Sequence, residues 1–254
     1  YMSNSNVTLN TIKITGCSSC RVASIPTNCA YGCADGGAIY MEYSSPSLID
    51  VIIDNNNAYE FDTLGPECEG NGWGGGVYIY KGYPSFINSI ISNNVSRMDG
   101  GGVYIRTGSA YFDNVDFIEN LQLSFSCTPF SNMQSYCASC GGSAISIFNG
   151  ADTWDDILWD ENIVTVKNST ISGNRSTLGL IKSDSWGYGP NCPVEVCYPP
   201  KVVIENSIIS DNWGEFNPVF WGPSIYMDNV TIFGHSNYDS WSTDDNWFSA
   251  FLIE

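Results

Sequence analysis

Asp152, Asp155, Asp156 and Asp160 crowd into one short stretch together with Trp154 and Trp159. Paired carboxylates are what hydrolysis of a glycosidic bond needs, one as acid and the other as base or nucleophile. Several together can also hold a hard cation. Calcium is the one cofactor this chemistry suggests, but the stretch lacks the Asp-x-Asp-x-Asp-Gly frame of a calcium loop, so a solvated acidic loop is the preferred reading. Asp116 and Glu119 form a second pair, no more telling than any other among 27 acidic residues. His235 is the sole imidazole and follows Gly234, yet it stands where other stretches of the chain place Asn, which makes it a substitute for Asn rather than a base. Arg21, Arg97, Arg106 and Arg175 do not recur with carboxylates at an equivalent position, as a lyase base beside a calcium site would. No residue is therefore assigned a catalytic or metal-binding role.

Ten cysteines offer different chemistry: Cys17, Cys20, Cys29, Cys33, Cys68, Cys127, Cys137, Cys140, Cys192 and Cys197. Cys17-x-x-Cys20 and Cys137-x-x-Cys140 have zinc-like spacing. With a single His and the rest scattered, disulfides in an oxidising, extracellular setting are the expectation. Cys192 and Cys197, alone in their stretch, are expected to pair; the connectivity of the others stays open. A net charge of -18 with nine basic residues argues against nucleic acid and anionic membrane surfaces as partners. No apolar run approaches the ~18 residues of a membrane span, and no signal-peptide pattern is present. The chain opens at Tyr1, so it is read as a processed product or as part of something longer.

N-glycosylation sequons occur at Asn6, Asn94, Asn168, Asn174 and Asn229, about as many as chance gives in a chain so rich in Asn, Ser and Thr. All but Asn6 fall in recurring Asn positions, where an inward side chain could not carry a glycan.

Those recurring positions define the elements. The phrase Asn88-Ser89-Ile90-Ile91-Ser92-Asn93-Asn94 returns from Asp50, Asn114, Asn168, Asn206 and Asn229, with a weaker first copy from Asn10. Successive starts lie 40, 38, 26, 54, 38 and 23 residues apart. A second phrase alternates with it: Gly36-Gly37-Ala38-Ile39-Tyr40, Gly74-Gly75-Gly76-Val77-Tyr78, Gly100-Gly101-Gly102-Val103-Tyr104 and Gly141-Gly142-Ser143-Ala144-Ile145. Each is a turn feeding a short strand. A repeat of roughly two dozen residues with strands only, and no Leu-x-x-Leu-x-Leu frame, suits one coil of a parallel β-helix. Its fold class is then an all-β, right-handed single-stranded parallel β-helix, a solenoid filling residues 1–254 as one domain. Stacked coils turn the repeats into ladders: Asn56, Asn94, Asn120, Asn174 and Asn212 in one column, Asn88, Asn114, Asn168, Asn206 and Asn229 in another.

The Gly-Gly-x-Ile/Val-Tyr and Asn-Ser-x-Ile-x-x-Asn phrases resemble the right-handed β-helix repeats of the pectin-lyase-like superfamily. They are especially similar to surface proteins with chlamydial polymorphic-membrane-protein-type repeats, whose signatures are Gly-Gly-Ala-Ile and Phe-x-x-Asn. Gly36-Gly37-Ala38-Ile39 and Phe117-Ile118-Glu119-Asn120 match them. The resemblance implies the fold but not an activity, because the scaffold hosts lyases, hydrolases, adhesins and fibres. Polygalacturonases carry Asn-Thr-Asp, Asp-Asp, Gly-His-Gly and Arg-Ile-Lys motifs on neighbouring coils; this chain offers Gly234-His235 followed by Ser236, a dipeptide match, and no Arg-x-Lys anywhere.

Extra length is expected at residues 17–35, 57–73, 121–140 and 213–221, all at one corner, and at 151–161 and 183–200 at another. The insertions at the first corner hold eight of the cysteines, and the insertions as a group hold much of the Trp, which either packs each loop on its coil or binds sugars. Neither end reads as a polar cap: Val7, Leu9 and Ile12 lie at one, Phe248, Phe251, Leu252 and Ile253 at the other. Copies joined head to tail through these ends would form filaments. The expectation is a secreted, non-enzymatic structural protein of an extracellular or cell-surface filament or stalk, with glycans as further candidate partners. The alternative is a carbohydrate-binding or polysaccharide-degrading β-helix.

Overall fold

The computed structural model describes residues 1–18, 36–58, 72–123, 141–150, 162–176, 179–186, 200–214, 219–221 and 224–237, with the backbone alone at 149–150, 183–186 and 221. Among them every regular element is a strand, and every strand pairing is parallel.

The strands form three sheets. The first holds Met2–Ser3, Ile39–Glu42, Val77–Tyr80, Val103–Arg106, Ile145–Gly150, Ile181–Trp186 and Phe220–Trp221, in that spatial order. The second has 12 strands. One row runs through Thr8–Asn10, Ser47–Ile49, Ser85–Ser92, Ala110–Ile118, Ile163–Lys167, Lys201–Glu205 and Ser224–Asp228. Beside it lie Lys13–Thr15, Ile52–Asp54, Thr170–Ser172, Ile208–Ser210 and Thr231–Phe233, which pair with the far halves of the two long strands or with one another. The third sheet holds Asn57–Ala58, Val95–Ser96, Leu121–Gln122, Arg175–Ser176, Trp213–Gly214 and Ser236–Asn237. The chain meets the three sheets in constant order and adds a neighbouring strand at each passage. We call one such passage a circuit. The arrangement is compatible with the expected β-helix-like fold.

Alternation explains the core. Strand side chains point to opposite faces, so in Ile163–Lys167 Val164 and Val166 are buried while their neighbours are partly exposed. In register, Leu48, Phe86, Phe112, Val166 and Ile204 form one inward column and Ile53, Ile91, Phe117, Ile171 and Ile209 a second, all fully buried. The Phe86 and Phe112 rings stack at 5.0 Å. Each such side chain contributes about 1.5–3 kcal/mol of burial free energy.

The Gly phrases owe their form to one crowded corner. Gly100 has φ +67, which a residue with a side chain adopts at a cost. A Cβ on Gly101 would lie 2.6 Å from the Ser143 carbonyl oxygen and 2.7 Å from that of Leu121, so the second Gly lets the first sheet abut the third.

Three details differ from expectation. Residues 57–58, 121–122 and 213–214 begin the third sheet, and 183–186 extend the first, so those four insertions start later than the sequence indicates. The first copy of the Asn phrase is displaced by one residue: Lys13 pairs with Ile52, which aligns Thr11 with Asp50 and Cys17 with Asn56. The fourth Gly phrase is displaced as well, because Ile145 pairs with Val103 and Gly142, at φ +68, takes the left-handed place of Gly100. Ser143 then stands where other circuits have the second Gly.

Candidate functional site

Two corner columns gather the polar side chains that the sequence marks. The corner between the second and third sheets is sealed. Asn56, Asn94, Asn120, Asn174 and Asn212 are all 0–1% exposed there. Each Oδ1 accepts the backbone N–H of the preceding circuit's residue, from Cys17 on to Asn56 at 3.0 Å, then 3.1, 3.1, 2.9 and 2.9 Å to Asn212. Each Nδ2 donates to a main-chain carbonyl of the circuit before, those of Ile14, Ile53, Ile91, Phe117 and Ile171. From Asn56 to Asn174, Nδ2 also donates to the next Asn Oδ1 at 3.0 Å. Buried amides with every group paired are what a low-dielectric interior tolerates.

This ladder has unlike ends. Cys17 opens it, half buried and with a free thiol. His235 closes it: Nδ1 accepts the N–H of Asn212 at 3.3 Å. Accepting requires a lone pair on Nδ1, so the imidazole is neutral. Burial holds its pKa below the ordinary 6.5, against opposing pulls from the backbone of Asn212 and Ile209 and the Asp211 charge. His235 is thus the Asn stand-in the sequence indicates. Cys17 takes the opening place because pairing register sets the first circuit one residue later than its Asn10 phrase indicates.

The corner within the second sheet is open. Asp50, Asn88, Asn114, Asn168, Asn206 and Asn229 all have φ between 49° and 55°, a left-handed conformation that Asn and Asp tolerate better than most residues. Their side chains are exposed and bond along the column: Asn114 Nδ2 to Asn88 Oδ1 at 3.0 Å, Asn229 Nδ2 to Asn206 Oδ1 at 2.9 Å. Asn168 Nδ2 turns aside to Asp113 Oδ1 at 2.7 Å. The expectation that both Asn columns face inward is corrected here. The next residue is the inward one, and Ser89, Ser169 and Ser207 use their hydroxyls to accept N–H groups of Val51, Val115 and Ser169. Of the sequon residues, Asn94 and Asn174 are therefore sealed, whereas Asn6, Asn168 and Asn229 are exposed.

The remaining candidates are scattered. Asp116 lies on the outer face of Ala110–Ile118, and Glu119 at a left-handed corner with φ 53. Asp152, Asp155, Asp156 and Asp160 are outside the described residues, as are Arg21, every cysteine but Cys17, and Phe248, Phe251, Leu252 and Ile253. Among the described residues no group of three or more His, Cys, Asp or Glu is placed to hold a metal ion. Asp99 and Lys182 form a buried ion pair, Nζ to Oδ1 at 3.5 Å, and the same oxygen accepts Gly141 N–H at 2.8 Å. Tyr1, Tyr40 and Tyr78 stack along the first sheet at 4.9–5.4 Å, and Tyr104 continues the row tilted by 39° at 5.3 Å. Trp73 lies over Tyr104 of the next circuit at 5.9 Å, one loop tryptophan that packs against the sheet.

Compared with protein-family models, curated proteins and solved structures, the chain matches none.

Proposed function

We propose that this chain is a structural rod, a right-handed parallel β-helix serving as a segment of an extracellular or cell-surface filament or stalk. The observation that carries the reading is the Asn ladder running from Cys17 to His235, which spends its polar groups on binding circuit to circuit. A protein so organised is built for stiffness along one axis. Kinship with the polymorphic-membrane-protein-type β-helices belongs to the same proposal, on the repeat phrases alone.

The outermost of the described circuits support a reading of end-to-end growth. Met2, Leu9 and Ile14 at one end, and Ile225, Met227 and Val230 at the other, continue the core columns but are only partly buried. Ile12 is 36% exposed and Ile232 39%. These are the surfaces a further circuit, from a second copy or from more of the same protein, would cover. Disulfides among the loop cysteines would brace such a rod outside the cell. Electron microscopy at high and low protein concentration tests the proposal. Filaments with an axial repeat near one rod length are expected; discrete rods at every concentration would refute end-to-end assembly.

A carbohydrate-binding or polysaccharide-degrading β-helix is the second reading. It draws on the corner where Tyr43 and Tyr83 are 49% and 57% exposed, with Lys81 Nζ 5.6 Å over the Tyr43 ring. Binding and cleavage assays against acidic and neutral polysaccharides decide it.

A further inference from the structure

The five sequons differ in how many amide protons the fold leaves over. N-glycosylation replaces one N–H of the Asn side chain with a bond to sugar C1 and keeps the other. An Nδ2 that already donates twice cannot give up a proton without losing a buried hydrogen bond. Asn94 Nδ2 donates to Ile53 O at 2.9 Å and Asn120 Oδ1 at 3.0 Å, and Asn174 Nδ2 to Phe117 O at 2.9 Å and Asn212 Oδ1 at 3.0 Å. Both residues are 0% exposed, so a sugar would have no room either.

The exposed sequons keep a proton in reserve. Asn168 Nδ2 donates to Asp113 Oδ1 and Asn229 Nδ2 to Asn206 Oδ1, one bond each. Asn6 uses its other amide atom, with Oδ1 accepting Ser45 N–H at 3.1 Å. Asn168 and Asn229 also lie on one column, two circuits apart with Asn206 between them, and both sit in the left-handed conformation that turns the side chain outward.

We propose that Asn6, Asn168 and Asn229 are N-glycosylation sites, and that Asn94 and Asn174 are bare in the folded protein. The inference rests on the extracellular reading above, which would bring the chain to a lumenal transferase. There the amide nitrogen attacks C1 of a lipid-pyrophosphate-linked oligosaccharide. The C1–O bond breaks, the lipid pyrophosphate leaves with the electron pair, and the amide loses one proton to the transferase. Asn168 and Asn229 place their glycans on the open corner of the second sheet, where they line one edge of the rod and leave the Asn ladder intact.

The full chain is expressed through a eukaryotic secretory pathway, and its protease-resistant fraction is deglycosylated enzymatically in heavy-oxygen water. Peptide mass spectrometry then reads each site. Heavy-oxygen Asp at 6, 168 and 229, with unmodified Asn at 94 and 174, is the expected pattern. A glycan on Asn94 or Asn174 in that fraction, or bare Asn168 and Asn229, overturns the assignment. A second variant tests the column itself. Ile208→Thr, at a side chain 46% exposed, completes a sequon at Asn206 without touching the ladder. It should add one glycan, and no added mass would count against the column as an acceptor edge. The expected pattern in a chain that stays inside the cell would support the sites while counting against the secreted reading.

Discussion

Asn120 has every hydrogen-bonding atom of its amide engaged. Oδ1 accepts from Asn94 N and Nδ2, and Nδ2 donates to Ile91 O and Asn174 Oδ1, at 2.8–3.1 Å throughout. Asn120→Ala takes one buried hydrogen bond from each of these partners, of which Asn174 Oδ1 keeps the backbone N–H of residue 120 and Asn94 Nδ2 keeps Ile53 O. The cost is about 1–3 kcal/mol for each group not rescued. We expect about 4 kcal/mol of destabilisation by chemical denaturation. Asn114→Gly, which removes one exposed bond at a left-handed residue, should change stability by no more than about 0.5 kcal/mol. Equal effects would refute the distinction between the two columns. His235 adds a dependence on pH. Its folded pKa lies below the ordinary value, so the folded state binds fewer protons than the unfolded. The His235 contribution is thus intact above pH 6.5 and is lost as pH falls below it. Protonation also puts a hydrogen on Nδ1, facing the N–H of Asn212. Amide exchange at Asn212 should therefore accelerate as pH drops through that range, after correction for intrinsic rates, and His235→Asn should abolish the acceleration. A wild-type profile indistinguishable from the variant's would refute the role of the imidazole.

Among the elements, the third sheet is the least visible in the sequence and the most demanding sterically. Its six strands are two residues each, Asn57–Ala58 through Ser236–Asn237. The second residue of each is buried wherever burial is described, as Ala58, Ser96, Gln122, Ser176 and Gly214 are, but the residue types share no pattern, because a strand of two residues is held by main-chain bonds. What betrays it is the Gly it demands opposite. Gly101→Ala drives a Cβ into the Leu121 and Ser143 carbonyls, which neither sheet can relieve without losing pairing, and should cost at least about 2–3 kcal/mol. Gly16 lies at an equivalent of the left-handed corners Asn55, Asn93 and Asp211, with nothing within 4 Å of its Cβ position. Gly16→Asp should fall within about 0.5 kcal/mol of wild type. Thermal melts of both variants check the contrast, and an undisturbed Gly101→Ala would mean that the two sheets do not meet as described.

At the scale of the molecule, each circuit contacts its neighbours, so stability should propagate from the middle. Val103, Ile105, Phe112 and Phe117 are fully buried, while among the described residues Met2, Leu9 and Ile14 in the first circuit and Ile225 and Met227 in the last are only partly so. Hydrogen exchange read by mass spectrometry should be slowest over 103–118 and fastest in the two end circuits; a flat profile would contradict outward fraying. The sequence by itself determined the parallel all-β character, the recurring units and the existence of two Asn columns. Each circuit places like residues at like positions, and that repetition survives in one dimension. Which column faces the core was decided only by the tertiary structure. Asn88 and Asn94 belong to the same phrase, and neither residue type nor spacing tells which lies inside. Left-handed backbone at Asn88, Asn168 and Asn229 turns their side chains out, and stacking of circuits drives Asn94 and Asn174 in. Cys17 and His235 joined the ladder for the same reason: their place is set by pairing register, a relation between circuits that residue identity alone does not carry.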